Sequence, residues 1–517
     1  MKRYLIIIFL GSLILPFLSC SEERLDLNNP NQLSEATYFQ NEAQAISAVN
    51  AIYAAFQTTD LYNRRYFFMH DLLSDEIQGL GSLAGEMVAL QNRSIDGSNP
   101  VVQETWRGFY RGIQRANLAI GNLPSIPATE ISEGVRSRLI GEAKFLRAWH
   151  YFELVSLWGG VPLYTEISRT VEGIPRATED EVYDLIIQDL TDAAAALPET
   201  YDAGETGRAT KGAANALLGR VWLFRAGISG NASYYANAKA AYEAVVNSGT
   251  YALTDDYFFN FTEENEFNSE SIFEVGYSTQ WGGAGGWASD ATGINESTFR
   301  AQEYGFRAWR NVVPSQKLLA EFEDGDPRYD DSFFHPCDTY NNGEDTIYVD
   351  GTAYPGLPCA APAGVNPTIP DDLSSWRKYQ NYHRQETEIN SQSGINFRSL
   401  RYAEVLLGLA EAIAEVEGPT PQALTYLNST RERVGFTPYP TADYPTGSKE
   451  EFIRAVMHER AVEFSGEQIR YRDLIRRGLL VQEVPTVTQE FQRYLPIPQN
   501  EIDNNTALTN ADQNPGY

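Results

Sequence analysis

The sequence predicts a mostly α protein: a scaffold of helical hairpins around one large, irregular, loop-rich insertion carrying short strands. Three observations predict it. Apolar residues recur at helical spacing through residues 40–250 and again through 395–480, two stretches share one hairpin pattern, and residues 251–394 between them are dense in Gly, Pro and aromatic residues without helical period. At 43% hydrophobic and 12% aromatic residues the chain can fill a large core, and 21% charged residues cover it, which excludes global disorder. A formal net charge of -29 repels other polyanions, and no basic stripe with interleaved aromatics reverses this, so nucleic acid is excluded as a partner.

The N-terminus reads as an export signal. Lys2 and Arg3 precede an apolar run from Leu5 to Leu18, interrupted by Gly11, Ser12 and Pro16, and Ser19-Cys20 follows. The run is shorter than the roughly 20 residues that a membrane-spanning helix needs. A small residue followed by cysteine fits lipoprotein processing, with residues 1–19 removed and Cys20 acylated, although Phe17 stands where a leucine is usual; plain secretion is the alternative. Ser21-Glu22-Glu23 resembles the acidic surface-export tag of some Gram-negative lipoproteins. The expected location is the outer membrane, lipid-anchored and facing outward.

The helices follow in order. Ala45, Ala48, Val49, Ile52 and Tyr53 form a stripe within Asn41 to Thr58, and Phe109, Ile113, Ala116 and Ile120 form another from Trp106 to Ile120. From Gly141 to Trp158 apolar residues lie nearly all round, which marks a buried helix, and Gly159-Gly160 and Pro162 stop it. Ala214, Leu217, Leu218, Val221 and Trp222, then Ala238, Ala241, Tyr242, Val245 and Val246, make a hairpin with two matching stripes. Leu218-Gly219-Arg220-Val221-Trp222 echoes the L-G-x-x-Y element of tetratricopeptide repeats, and Leu407-Gly408 with Ala423 and Leu427 repeats it between Tyr402 and Asn428.

Within the insertion, Ser271 to Val275 reads as a strand, and Trp281 and Trp287 bracket Gly282-Gly283-Ala284-Gly285-Gly286. Two indoles around small residues are hard to place in a core; their flat apolar faces suit the C–H faces of sugar rings. Tyr304, Phe306 and Trp309 follow, each equally readable as loop core. Apart from Cys20, only Cys337 and Cys359 are present, and in an oxidising compartment they are expected to form a disulfide across a surface loop, two unrelated thiols being the alternative.

Enzyme motifs fail on inspection. His458-Glu459-Arg460-Ala461-Val462 starts like a zinc-protease helix, but Val462 stands where the second histidine must be. Gly79-Leu80-Gly81-Ser82-Leu83-Ala84 fits a loose dinucleotide pattern without a preceding buried strand. Glu463, Glu467, Arg470, Arg472 and Asp473 fall at helical spacings and read as a structural ion-pair network. Asp324, Asp326 and Asp331 lack calcium-loop order, and a turn at Asp326-Pro327 accounts for them. No cofactor or metal is implied.

Several stretches together resemble the SusD/RagB family of surface lipoproteins. They are Gly141-Glu142-Ala143-Lys144-Phe145-Leu146-Arg147-Ala148, the exit Leu157-Trp158-Gly159-Gly160-Val161-Pro162-Leu163, Arg401 to Leu407, Glu459-Arg460 with Arg470 to Gly478, and the ending Tyr494-Leu495-Pro496-Ile497-Pro498 to Asn514-Pro515-Gly516-Tyr517. They occur in the family's order and span nearly the whole chain. The resemblance implies a SusD-like fold in one structural domain, with an N-terminal part at 20–250 and a RagB/SusD part at 251–517. It also implies a partner, a SusC-like TonB-dependent transporter, over which the protein acts as a hinged lid once an oligosaccharide or polysaccharide is held. In starch-binding members the site draws on the loop after the first helices and on the aromatic middle region. Here these contain Tyr62, Arg65, Tyr66, Asp75 and Glu76, and Trp281, Trp287, Tyr304 and Trp309. The expected function is glycan capture without chemistry, with a neutral glycan favoured by the acidic balance; the alternatives are a peptide or other nutrient and, last, a surface glycan hydrolase.

Overall fold

The computed structural model describes residues 38–167, 172–279, 296–371, 373–387 and 393–517; residues 1–19, expected to be an export signal, and Cys20, Trp281 and Trp287 lie outside them. About 51% of the described residues are helical and the strands among them are few and short, which settles the fold as mostly α. Helix α1 (Glu42–Phe56) starts where the Asn41 side chain accepts the Gln44 N–H, and it buries Ala45, Ala48, Val49 and Ile52 as the spacing predicts. Helix α2 (Pro100–Asn122) begins before the predicted Trp106, because Asn99 caps it and Pro100 fits its first turn. Helix α3 (Glu133–Trp158) is buried on nearly all sides from Gly141 onward.

Helix α4 (Glu179–Ala196), opened by a Thr178/Glu181 capping box, was not read from the sequence. Then come α5 (Lys211–Ser229) and α6 (Ser233–Ser248), and after the insertion α7 (Tyr402–Glu417) and α8 (Pro421–Arg433). Consecutive helices pack on one another from α1 to α8, and α6 packs on α7 across the insertion. The two expected helical blocks are therefore one continuous stack. The two Leu-Gly elements explain its join. Tyr242 on α6 is buried, and an added Cβ at Gly219 would lie 2.5 Å from its Cε1, at Gly408 2.7 Å from its Cε2. Both glycines make room for one ring, so the repeated motif records a shared contact between the halves.

Helices α9 (Lys449–Glu463) and α10 (Arg470–Arg476) return the chain to the stack. The ending then locks onto the α3 exit. Leu495 N donates to Leu157 O at 2.8 Å and Trp158 Nε1 to Pro496 O at 3.0 Å, while Asn514 Nδ2 reaches Trp158 O at 2.9 Å. Strand β1 (Ile77–Gly79) pairs antiparallel with β3 (Val312–Pro314), and β2 (Ser271–Val275), predicted from sequence, pairs with β4 (Phe397–Arg401). Cys337 and Cys359 are bonded, with Cα atoms 5.1 Å apart, beside a small second core that includes Phe306, Tyr340, Val349 and Tyr382. Among the described residues no helix is long and apolar enough to cross a membrane.

Candidate functional site

The β1–β3 ribbon joins the two regions from which a binding face was expected. Ile77, Gln78 and Gly79 face Pro314, Val313 and Val312, and Leu80 N donates to Asn311 O at 2.9 Å. Upstream, Asn63 O accepts from Phe299 N at 3.2 Å and the Asn63 amide donates to Ser297 O at 2.5 Å, while Arg64 is ion-paired with buried Glu303. The loop after the first helices and residues 296–314 thus form one surface.

Trp309 is turned outward on that surface by its neighbours. Phe306 is buried against Tyr382, ring centroids 4.3 Å apart, and Arg310 is held in the left-handed region (φ 46) by a bidentate pair with Asp371 at 2.8 Å for both bonds. Between these anchors Trp309 is 43% exposed; the other described tryptophans are buried or half-buried. Arg307 donates to Glu386 at 2.8 Å and to the Tyr340 hydroxyl at 2.9 Å, setting a charged pair near the indole in sequence. Arg307 and Glu386 were not read from the sequence, since no local pattern links positions so far apart.

The same surface holds the ends of the segment containing Trp281 and Trp287: Ser278 N donates to Glu296 O at 2.6 Å and Thr298 N to Ser393 O at 2.9 Å. Trp281 and Trp287 themselves are outside the described residues.

Four predicted ligand residues are engaged by partners within the protein. Tyr66 is buried and stacks on Tyr62 at 3.8 Å, its hydroxyl donates a hydrogen bond to Glu153 at 3.1 Å and accepts one from Arg472 at 3.1 Å, and burial pushes its phenol up to about 12. Tyr304 is equally buried and donates to Asp71 at 2.7 Å. Asp75 accepts both Arg470 bonds, at 2.9 and 3.0 Å, and the Lys317 ammonium at 2.8 Å. Burial alone would raise the Asp75 carboxyl, but Arg470 and Lys317 outweigh it and hold it below its ordinary value. Arg65 is mostly buried between Glu104 at 2.6 Å and Glu86 at 3.5 Å. Each satisfies a core or ion-pair partner and has little surface left for a ligand.

The residues of the failed enzyme motifs are likewise engaged. His458 lies between Glu321 (2.9 Å) and Glu323 (3.3 Å), and buried Glu459 binds Arg328 at 2.5 Å. Glu463 and Glu467 gather Arg328, Arg401, Arg433 and Lys378, while Arg472 pairs with Glu153 and Asp473 with Arg460 and Arg476. The expected network exists, but apart from Asp473–Arg476 it is made by contacts distant in sequence rather than by helical neighbours. Asp326 accepts from Arg328 N and Nε, both at 3.0 Å, as a turn residue. Among the described residues no group of His, Cys, Asp and Glu is arranged to hold a metal ion.

A stacked helical scaffold presenting an irregular face with an outward indole places the chain in the tetratricopeptide-like, mostly α class. Two sequence-family models match this chain, one described as "SusD family" over residues 269–484 and one as "Starch-binding associating with outer membrane" over residues 25–223. SusD-like protein P2 of Formosa agariphila is 28% identical over the full length of both chains. A solved laminarin binding SusD-like protein superposes with a TM-score of 0.76 at 26% identity, covering 93% of this chain and 100% of that one. A SusD superfamily protein from Bacteroides vulgatus gives 0.77 at 24% identity, with 93% and 100% covered. The chain belongs to the SusD/RagB family.

Proposed function

We propose that this protein is a surface lipoprotein, anchored through Cys20 in the outer membrane, that captures a neutral oligosaccharide or polysaccharide and delivers it to a SusC-like TonB-dependent transporter as its lid. The observation that carries the capture step is the exposed Trp309 indole on the face where the β1–β3 ribbon joins residues 62–86 to the aromatic middle region. An indole buries the C–H face of a sugar ring, and neighbouring polar groups such as the Arg307–Glu386 pair exchange hydrogen bonds with hydroxyls. Trp281 and Trp287 belong to the same proposal, since their segment is rooted beside Glu296. The similarity to a laminarin binding SusD-like protein supports a neutral glucan as one ligand class. The buried, paired state of Glu459, Glu463 and His458 supports binding without hydrolysis.

The test is isothermal titration of the acyl-free chain, starting at Ser21, against neutral and acidic oligosaccharides, with Trp309→Ala, Trp281→Ala and Trp287→Ala alongside. Saturable binding of a neutral glycan without product, weakened about 10-fold or more by Trp309→Ala, is expected. Binding to peptides alone, or release of cleaved sugar, would refute it.

A further inference from the structure

A second aromatic-walled cleft opens at the root of the same segment and has no part in the face just described. Phe267 is 41% exposed and its backbone is left-handed, φ 52. A bulky residue is unfavourable there and persists only where its surroundings impose it. Here they do. Glu274, itself buried, accepts the Phe267 N–H at 3.1 Å, and the Asn268 side chain accepts from Glu270 N at 2.9 Å and Ser271 N at 3.1 Å. The ring lies over Gly207, where an added Cβ would stand 3.2 Å from Phe267 Cε1. The turn is thus braced to hold a phenyl ring in water, the opposite of what core packing requires.

Space lies along this ring in two lobes. One, of about 290 Å³, is lined by Asn50, Tyr53, Gln57 and Gly276; the other, of about 200 Å³, runs toward Tyr201. Phe267, Thr206 and Arg208 border both. The charged walls are already paired, Arg208 with Glu142 at 3.0 Å and Glu205 at 3.4 Å, Glu274 with Arg398 at 3.4 Å and Glu199 with Lys211 at 2.9 Å. What remains for an occupant is aromatic surface with amide and hydroxyl groups from Asn50, Gln57 and Thr206, which is the chemistry of an uncharged polyol ring. The position relative to the first face follows from the backbone: Gln57 Nε2 donates to Gly276 O at 2.7 Å, and two residues on Ser278 pairs with Glu296.

We propose that the Phe267 cleft is a second sugar subsite, so that a neutral glycan longer than one site engages Trp309 and Phe267 on the two sides of the segment root. This rests on the glycan reading given above. A ladder of neutral oligosaccharides of increasing length is titrated into the natural acyl-free protein and into Phe267→Ala and Phe267→Gly. The expected result is about a 10-fold loss for the longer members and unchanged affinity for the shortest that bind. Because glycine takes a positive φ freely, Phe267→Gly is expected to melt no lower than the natural protein. Equal affinities at every length, or a Phe267→Gly melting temperature lowered as by a core substitution, would overturn the subsite while leaving Trp309 binding intact. A natural protein that binds no member of the ladder would instead overturn the parent glycan reading.

Discussion

Replacing Arg401 by methionine tests whether the buried charge network holds the middle region of the fold to its C-terminal helices. Arg401 is 2% exposed; Nε donates to Glu467 at 2.7 Å, Nη2 to Glu467 at 2.8 Å, Nη1 to Glu463 at 3.1 Å, and it also bonds Glu270. Removing it strands carboxylates that only Arg433, Arg328 and Lys378 still offset. Breaking a buried pair costs about 3–5 kcal/mol, and these remaining cations place the loss at the lower end, about 3 kcal/mol.

The pH dependence follows from Glu463. Burial alone would raise its carboxyl, but Arg433, Arg401 and Arg328 outweigh burial and lower it from 4.5 to about 2. Its contribution, about 3 kcal/mol from that fall, is therefore fully present above the unfolded value of 4.5 and is lost as the pH falls toward 2. The assay is urea unfolding of both proteins at neutral pH and at about pH 3, where more than half of that contribution is lost. The variant is expected to be less stable at neutral pH and the difference to shrink in acid, because below the unfolded value of 4.5 the natural protein progressively loses what ionised Glu463 contributes. A loss below about 1 kcal/mol, or a loss that does not shrink with acid, would refute the reasoning.

Cys337→Ser with Cys359→Ser is expected to cost about 3 kcal/mol, read as new proteolytic cleavage between these positions before global unfolding. Gly408→Ala is expected to lower stability by about 1–2 kcal/mol in thermal melts although alanine favours a helix by about 1 kcal/mol, because its Cβ would meet the Tyr242 ring. Asp75→Asn leaves Arg470 and Lys317 without their carboxylate and is expected to lower stability by about 2 kcal/mol with glycan affinity unchanged by titration. Since the Asp75 carboxyl is held below its ordinary value, that difference is present at neutral pH and fades as the pH falls below the carboxylate range.

The scaffold was legible because each hairpin carries its own period: the stripes of residues 214–222 and 238–246 became α5 and α6. The helix at Glu179–Ala196 carries its own start signal, Thr178-x-x-Glu181. Trp309 stood out as an aromatic in a glycine-rich region, yet Tyr304, five positions away, is core. Nothing local separates them; the difference is that the Tyr304 hydroxyl finds Asp71, 233 positions upstream. Asp75 is decided likewise by Arg470, 395 positions on. The left-handed φ of Phe267 leaves no mark in composition or period, so its cleft could be found only in three dimensions.

The hydrogen bond between Ser278 and Glu296 bears on how such chains diversify. Because the two ends of the segment already stand side by side, its sequence can be exchanged or lengthened at little cost in chain entropy, without disturbing either partner strand of the β2–β4 pair. The Tyr242 contact has the opposite character, since a crossover between α6 and α7 must inherit Gly219, Tyr242 and Gly408 as a set. A chimera that grafts residues 279–295 from a relative should therefore keep its fold, and under the proposed function it would change the glycan bound, which makes this root the natural seam for retargeting the molecule.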